Sequence, residues 1–233
     1  MTTQTYVDRR QRLETYFDRT ASDAWAQLTS TAPVSRIRAT VRAGRDQMRS
    51  RLVSWLPADL SDRRVLDAGC GTGALAVIAA RRGAHVTAVD IASTLVNLAG
   101  ERAPPDPSPG VIDFRVGDML DPAHGVFDHV VSMDSLIHYP RAEIVQALAT
   151  LAQRTKTSIV FTFAPRTPAL TAMHAVGTLF PRTDRAPAIE PVSEASLRDA
   201  LAAHPDLSQW RVHRTERVMS GFYTSQAMEL IRR

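Results

Sequence analysis

An acid followed by three glycines at alternate positions, Asp67-Ala68-Gly69-Cys70-Gly71-Thr72-Gly73, is the part of this sequence best suited to hold a ligand. Glycine admits positive φ and lets a ligand approach the backbone closely. A helix start just beyond would leave amide N–H groups free for a polar or anionic group. Asp67 stands where a carboxylate can meet a cationic amino-acid tail. Asp90, 17 residues past Gly73, can accept hydrogen bonds from both hydroxyls of a ribose. A third acid, Asp118, follows Gly117. Farther on, His138 lies in Asp134-Ser135-Leu136-Ile137-His138-Tyr139-Pro140. An imidazole there could hydrogen-bond a reacting group, ligate a metal, or simply pack.

These residues need strand ends to hold them together. Val65 onward reads as a buried first strand, and Ala74 to Ala80 as the helix after the glycine turn. Ala84 to Asp90 is a second strand and residues 92–102 a helix. Val111 to Val116 and Phe127 to Met133 are the third and fourth strands. Residues 141–153 form a helix and Ser158 to Phe163 the fifth strand. A helix from Ser193, its cap, to about His204 precedes two last strands, Gln209 to Met219 and Phe222 onward, joined at Ser220-Gly221. Three acids thus end three successive strands, and in open α/β sheets that edge faces the ligand crevice. Residues 104–110, with four prolines and a glycine, are a loop.

Gly69, Gly71 and Ala74 formally satisfy the dinucleotide fingerprint, but that match alone is weak. The third glycine, Asp67 and the closing hairpin point elsewhere. The sequence resembles the class I S-adenosylmethionine-dependent methyltransferases. The resemblance implies an α/β fold, a Rossmann-like seven-stranded and mostly parallel sheet with a C-terminal antiparallel hairpin. It also implies S-adenosylmethionine as methyl donor, with Asp118 contacting the adenine amino group. The candidate donor-binding residues are Asp67, Gly69, Cys70, Gly71, Gly73, Asp90, Ile91, Asp118, Met119 and Met133.

Residues 1–60 read as a helical arm and residues 61–233 as the donor-binding domain with an insertion at 165–190. In the arm Tyr6, Leu13 and Phe17 recur at helical spacing, and a second helix runs from about Ser35 to Trp55. Arg38, Arg42, Arg45 and Arg49 make a stripe on it, either a solvated face or an entrance for an anionic substrate. In the insertion Met173, Val176 and Phe180 share one side, which would cover a sheet edge or close over an apolar substrate.

Several runs outside the donor site are similar to the magnesium-protoporphyrin IX methyltransferases of (bacterio)chlorophyll biosynthesis. They are Tyr16-Phe17 with Trp25, Asp134 to Pro140, Phe163-Ala164-Pro165-Arg166-Thr167-Pro168, Leu179-Phe180-Pro181 and Gly221-Phe222-Tyr223. The chain departs from the family pattern at Thr29, where an aromatic often stands. This resemblance implies methyl transfer to the 13-propionate of magnesium-protoporphyrin IX, giving the monomethyl ester and S-adenosylhomocysteine. For such a reaction His138 and Tyr16 are the catalytic candidates, and Arg38, Arg42 and Arg166 are candidate donors to the substrate carboxylates. Contact with the large porphyrin-binding subunit of magnesium chelatase and loose membrane association follow from the resemblance too. The competing readings are a methyltransferase for another small molecule, such as a quinone precursor, and a non-catalytic donor-binding module.

Composition narrows the field further. The chain has 233 residues, of which 44% are hydrophobic, enough for one α/β domain with an extension and too much for wholesale disorder. One cysteine, Cys70, rules out an internal disulfide. The net charge of +4 comes almost wholly from arginine, Lys156 being the single lysine. No basic patch is interleaved with aromatics, which disfavours a nucleic-acid substrate. No apolar run reaches the roughly 18 residues of a membrane span and no signal-like segment is visible, so the expected location is the cytoplasm, at most peripheral to the photosynthetic membrane. No catalytic triad or protein-bound metal is expected.

Overall fold

The structure is a computed structural model that describes residues 4–20, 29, 35–105, 109–166 and 189–233. Its frame is one sheet of seven strands: β1 (Arg64–Ala68), β2 (His85–Asp90), β3 (Val111–Val116), β4 (Phe127–Ser132), β5 (Thr155–Phe163), β6 (Trp210–Ser220) and β7 (Tyr223–Arg232). The order is β3-β2-β1-β4-β5-β7-β6. Strands β1 to β5 pair in parallel, and β7 enters antiparallel between β5 and β6. The expected sheet and its closing hairpin are therefore present.

The α-helices among the described residues are α1 (Gln4–Thr15), α2 (Arg36–Trp55), α3 (Ala74–Arg81), α4 (Ser93–Arg102), α5 (Arg141–Ala152) and α6 (Glu194–Ala203). Successive strand residues point to opposite faces, so each central strand feeds two cores. Leu66, Phe127, Phe161, Ile144, Leu148 and Leu197 pack on the face of α5 and α6. Val65, Val160, Leu75, Ala79, Met48 and Leu52 pack on the face of α2 and α3. Burial on both faces is why β1 and β4 read as near-continuous apolar runs. Edge strand β3 is only partly covered, leaving Val111 and Val116 about half exposed.

Helix α2 joins the frame through close contact with β7. A Cβ on Gly44 would lie 2.5 Å from the Tyr223 ring, so glycine there lets helix and strand touch. Helix α1 gives way at Tyr16 to a wider π-turn, Tyr16–Thr20. That turn brings Asp18 over the start of α4, where its carboxylate accepts from Thr94 N–H at 2.9 Å. Ala92, the cap residue of α4, has no side chain able to do this, and Asp18 supplies the cap from 76 residues away.

Several details differ from the sequence reading. Strand β5 begins at Thr155 rather than Ser158, with an irregularity opposite Phe127–His129. Just before it, the Arg154 guanidinium bonds the Met119 and Asp121 carbonyls and fixes the approach. Ser193 does sit at the cap of α6, but its side chain makes no capping hydrogen bond. The last hairpin turns at Gly221-Phe222, one residue later than expected. Among the described residues no helix is long and apolar enough to cross a membrane. Trp25 and the interior of the insertion, including Met173, Val176, Leu179, Phe180 and Pro181, lie outside the described residues. Its two ends meet as Pro165 bridges Val192.

Candidate active site

The carboxyl ends of β1, β2, β3 and β4 converge on one cavity of about 1020 Å³, its mouth included. Strand order reverses between β1 and β4, which is where a parallel sheet opens a crevice. Asp67, Gly69, Cys70, Gly71, Asp90, Ile91, Asp118, Met119 and Met133 all line it, as does His138.

The glycine turn is built from backbone requirements. Gly69, Gly71 and Gly73 have φ of +82°, +52° and +76°. A Cβ on Gly69 would also come within 2.5 Å of the Ser135 hydroxyl. Gly69 and Cys70 N–H donate to the Val89 carbonyl, tying the turn to β2. The cavity wall does not include Gly73. It caps α3, and a Cβ there would lie 2.8 Å from the Phe114 ring, so its duty is packing.

The first two acids have opposite needs. Asp90 is satisfied: one carboxylate oxygen accepts from Gly71 N–H at 2.8 Å and the other from Ala92 N–H at 3.0 Å. Burial still pushes its pKa up against those bonds. Asp67 is 2% exposed, and among the described residues its Oδ2 has no hydrogen-bond partner. Burial, reinforced by the charge of Asp90, raises its pKa to about 7, and a bond from Ala76 N–H opposes the rise only in part. A buried carboxylate with an unmet acceptor is costly by itself and suited to a cationic ligand. Burial, and then the same two acids, push the Cys70 thiol well above its ordinary range, so this cysteine is no nucleophile.

Asp118 is held by the arm. Tyr6 Oη donates to its Oδ1 at 2.9 Å and Arg10 Nη1 to its Oδ2 at 2.7 Å. Leu120 N–H adds a third bond. The Tyr6 ring stacks on Tyr139 with centroids 5.5 Å apart. Burial drives the Tyr6 hydroxyl pKa far up, so it remains a donor.

The loop after β4 is fixed at both ends. Asp134 takes φ of +55°, rare for a residue with a side chain. Its N–H donates to Thr162 Oγ1 at 2.7 Å. Its carboxylate accepts from Arg45 at 2.7 Å, from the Tyr223 hydroxyl at 3.0 Å and from the Ser225 hydroxyl at 3.3 Å. That set of bonds offsets the backbone strain, on the order of 1–3 kcal/mol. A short 3₁₀ turn, Leu136–His138, then presents the buried His138. Arg9 donates to its carbonyl at 3.2 Å, and Phe17 packs edge-on to its ring with centroids 5.9 Å apart.

Other candidates lie elsewhere. Tyr16 stands beside Phe17, centroids 5.2 Å apart, and Phe17 rather than Tyr16 forms the wall. Thr29 lines the cavity and accepts from Arg102 at 3.0 Å. Of the arginine stripe, Arg45 and Arg49 line the cavity, whereas Arg38 and Arg42 do not, and neither does Arg166 beyond β5. The heptad-like spacing flagged the stripe; which end of it meets the cavity depends on how α2 docks. Tyr6 and Arg10 carried no chemical signal in the sequence, since their partner is more than a hundred residues away. Among the described residues no cluster of three His, Cys, Asp or Glu could hold a metal.

Comparison with known proteins agrees with this geometry. Residues 132–232 match the family model "Magnesium-protoporphyrin IX methyltransferase C-terminus", and residues 65–158 match a general methyltransferase domain. The chain is 48% identical over 225 residues to magnesium-protoporphyrin O-methyltransferase of Rhodobacter capsulatus, covering 96% of this chain and 97% of that one. The crystal structure of magnesium protoporphyrin IX methyltransferase from Synechocystis PCC 6803, with bound S-adenosylhomocysteine, superposes with a TM-score of 0.83 at 30% identity. It covers 96% of this chain and 99% of that one. Similarity to ubiquinone biosynthesis O-methyltransferase of Xanthomonas campestris, at 41% identity, spans only 51% of this chain and 50% of the other.

Proposed function

The chain belongs to the magnesium-protoporphyrin IX methyltransferase family, and from that premise we infer how its cavity carries out S-adenosylmethionine-dependent methylation of magnesium-protoporphyrin IX in (bacterio)chlorophyll biosynthesis. The observation that carries the reading is the convergence of Asp67, Asp90, Asp118 and His138 on one cavity. The acceptor is a ring propionate, which we assign as the 13-propionate.

When bound, S-adenosylmethionine supplies an activated methyl group on a sulfonium. The residues present fit it: Asp67 offers a buried unpartnered carboxylate for the ammonium of its tail, and Asp90 sits where a ribose can be held. A propionic acid resembles a glutamate side chain, with a pKa of about 4.3, so the acceptor oxygen is ionised at pH 7 and needs no general base. That oxygen forms the new bond to the methyl carbon as the carbon–sulfur bond breaks, its electron pair passing to sulfur. The protein therefore has to align and enclose the reactants, which is worth on the order of 7–11 kcal/mol when two groups are held in line.

His138 is assigned to hydrogen-bond the propionate and aim one oxygen at the methyl group. It is buried and inside the cavity, and its position is fixed by Arg9 and Phe17. In this reading the described part of the arm covers the cleft, and Tyr16 acts through Phe17 rather than at the reacting atoms. The quinone-precursor alternative is disfavoured because similarity to such an enzyme ends after half of the chain.

Supply of an insoluble macrocycle suits contact with the large porphyrin-binding subunit of magnesium chelatase and a cytoplasmic location at the membrane periphery. Met219 and Phe222, 67% and 59% exposed at the hairpin turn, support that part of the proposal. Co-sedimentation with vesicles that disappears on replacing both by serine would bear it out, and unchanged sedimentation would dismiss it. The substrate assignment is tested by initial rates with magnesium-protoporphyrin IX and with a catechol quinone precursor at the same donor concentration. Turnover of the porphyrin alone is expected; preference for the catechol would overturn it.

A further inference from the structure

We infer that His124 is a positioning residue for discrimination of the donor's base. Its imidazole, braced by Arg115 and joined by Arg154, fixes the loop 118–121, from which Asp118 meets the adenine amino group. The inference rests on the methyl-donor reading of the cavity. His124, Arg115 and Arg154 do not line that cavity, so each acts through the loop.

Side chains grip the loop by its carbonyls. His124 Nε2 lies 2.9 Å from the Asp118 carbonyl oxygen, and the Arg154 guanidinium bonds the carbonyls of Met119 and Asp121. Asp121 N–H closes the turn with a bond of 3.0 Å to the same Asp118 carbonyl. A trans peptide holds its C=O and N–H on opposite sides. Turning the Asp118 carbonyl towards His124 therefore turns Met119 N–H away from it, to the side where Asp118 and Met119 line the cavity. The loop then offers an acceptor, the Asp118 carboxylate, beside a donor, Met119 N–H. Adenine presents the complementary pair, an amino donor beside a ring-nitrogen acceptor. Hypoxanthine presents the reverse, and a site of fixed polar groups rejects a mismatched edge.

The contacts also fix the state of the ring. A carbonyl can only accept and a guanidinium can only donate. Nε2 therefore carries its proton towards Asp118, and Nδ1 offers its lone pair to Arg115 Nη1 at 3.3 Å. Arg115 is held in turn by Asp113, whose Oδ2 accepts from Nε at 2.8 Å and from Nη2 at 2.6 Å. A chain of hydrogen bonds thus runs from edge strand β3 to the backbone of Asp118. His124 is buried in the short 3₁₀ turn Pro122–His124. Arg154 is buried too, and among the described residues it pairs with no carboxylate. A buried guanidinium is costly unless its bonds are made, and here the loop carbonyls make them.

The test reads base preference by calorimetric titration with S-adenosylhomocysteine and with S-inosylhomocysteine, in which oxygen replaces the adenine amino group. Wild type is expected to prefer the adenosyl ligand by about 10- to 100-fold, the worth of one hydrogen bond to a charged group. His124→Phe keeps a flat ring but no donor, and should bring the ratio to within about 3-fold of one. His124→Gln offers an amide donor and acceptor side by side, and should restore most of the preference. Arg115→Ala, at a partly exposed position, should lower the ratio in the same direction and decides the matter if His124→Phe does not fold. An undiminished preference in folded His124→Phe, or in Arg115→Ala where that variant decides, would overturn the proposal. So would a His124→Gln variant no better than His124→Phe, which would leave the ring a packing role only. A wild type that binds no S-adenosylhomocysteine would instead bring down the methyl-donor reading, and this inference with it.

Discussion

Replacing Asp67 with asparagine should strengthen the ligand-free fold and weaken the function. The Asp67 pKa is raised from 3.8 to about 7, chiefly by burial and next by Asp90. Each unit is worth about 1.4 kcal/mol, so the ionised carboxylate costs the folded chain on the order of 4 kcal/mol above pH 7. Asparagine removes the charge but leaves a buried amide with an unmet group, at about 1–3 kcal/mol. The net gain is about 2 kcal/mol, or roughly 4–8 °C in the thermal midpoint of a chain this size. Because the folded-state pKa lies above the unfolded one, the folded state holds the proton more tightly. Wild-type stability from this group is therefore full below pH 4 and is lost as pH rises to about 7. The gap between variant and wild type should open across that window and stay level above it. The assay is ligand-free thermal unfolding at pH 4.5 and pH 8, alongside S-adenosylhomocysteine titration at pH 8. Affinity should fall by about 10-fold or more with the loss of the ammonium's partner. An asparagine variant no more stable than wild type at pH 8, or a gap equal at the two pH values, would refute the reasoning.

Three further outcomes follow from single contacts. His138→Ala should lower kcat for magnesium-protoporphyrin IX by roughly 10²-fold or more, as misalignment of reacting groups does, while S-adenosylhomocysteine affinity stays within about 2-fold; equal kcat removes His138 from the mechanism. Tyr6→Phe deletes a hydrogen bond to the Asp118 carboxylate and should loosen α1 by about 1.5–3 kcal/mol, read as faster limited proteolysis within residues 4–20. Asp134→Ala strips Arg45, Tyr223 and Ser225 of their shared partner and should cost about 3–5 kcal/mol of stability by denaturant titration.

The sheet was readable because its central strands are buried on both faces, so β1 and β4 stand out as apolar runs between turns. The donor site was readable for a related reason. Its acids sit directly at strand ends, where local spacing places them. What the sequence hid is what other elements bring. Asp118 looks like a turn residue until α1 delivers Tyr6 and Arg10 to it across 112 and 108 positions. Asp18 caps a helix that lacks its own capping side chain. Ser193 shows the converse, a favourable cap residue whose side chain goes unused. The arginine stripe on α2 was visible, but Arg45 and Arg49 became site residues only through the contacts that dock that helix. Local chemistry could be read from spacing; docking of the arm could not.

Product analysis after incubation with S-adenosylmethionine and magnesium-protoporphyrin IX tests the central claim most directly. Chromatography with mass detection should find a single ester, the 13-monomethyl ester, with one S-adenosylhomocysteine formed per ester. A protein that binds S-adenosylhomocysteine yet forms no porphyrin ester, or gives mixed mono- and diesters, would contradict the account.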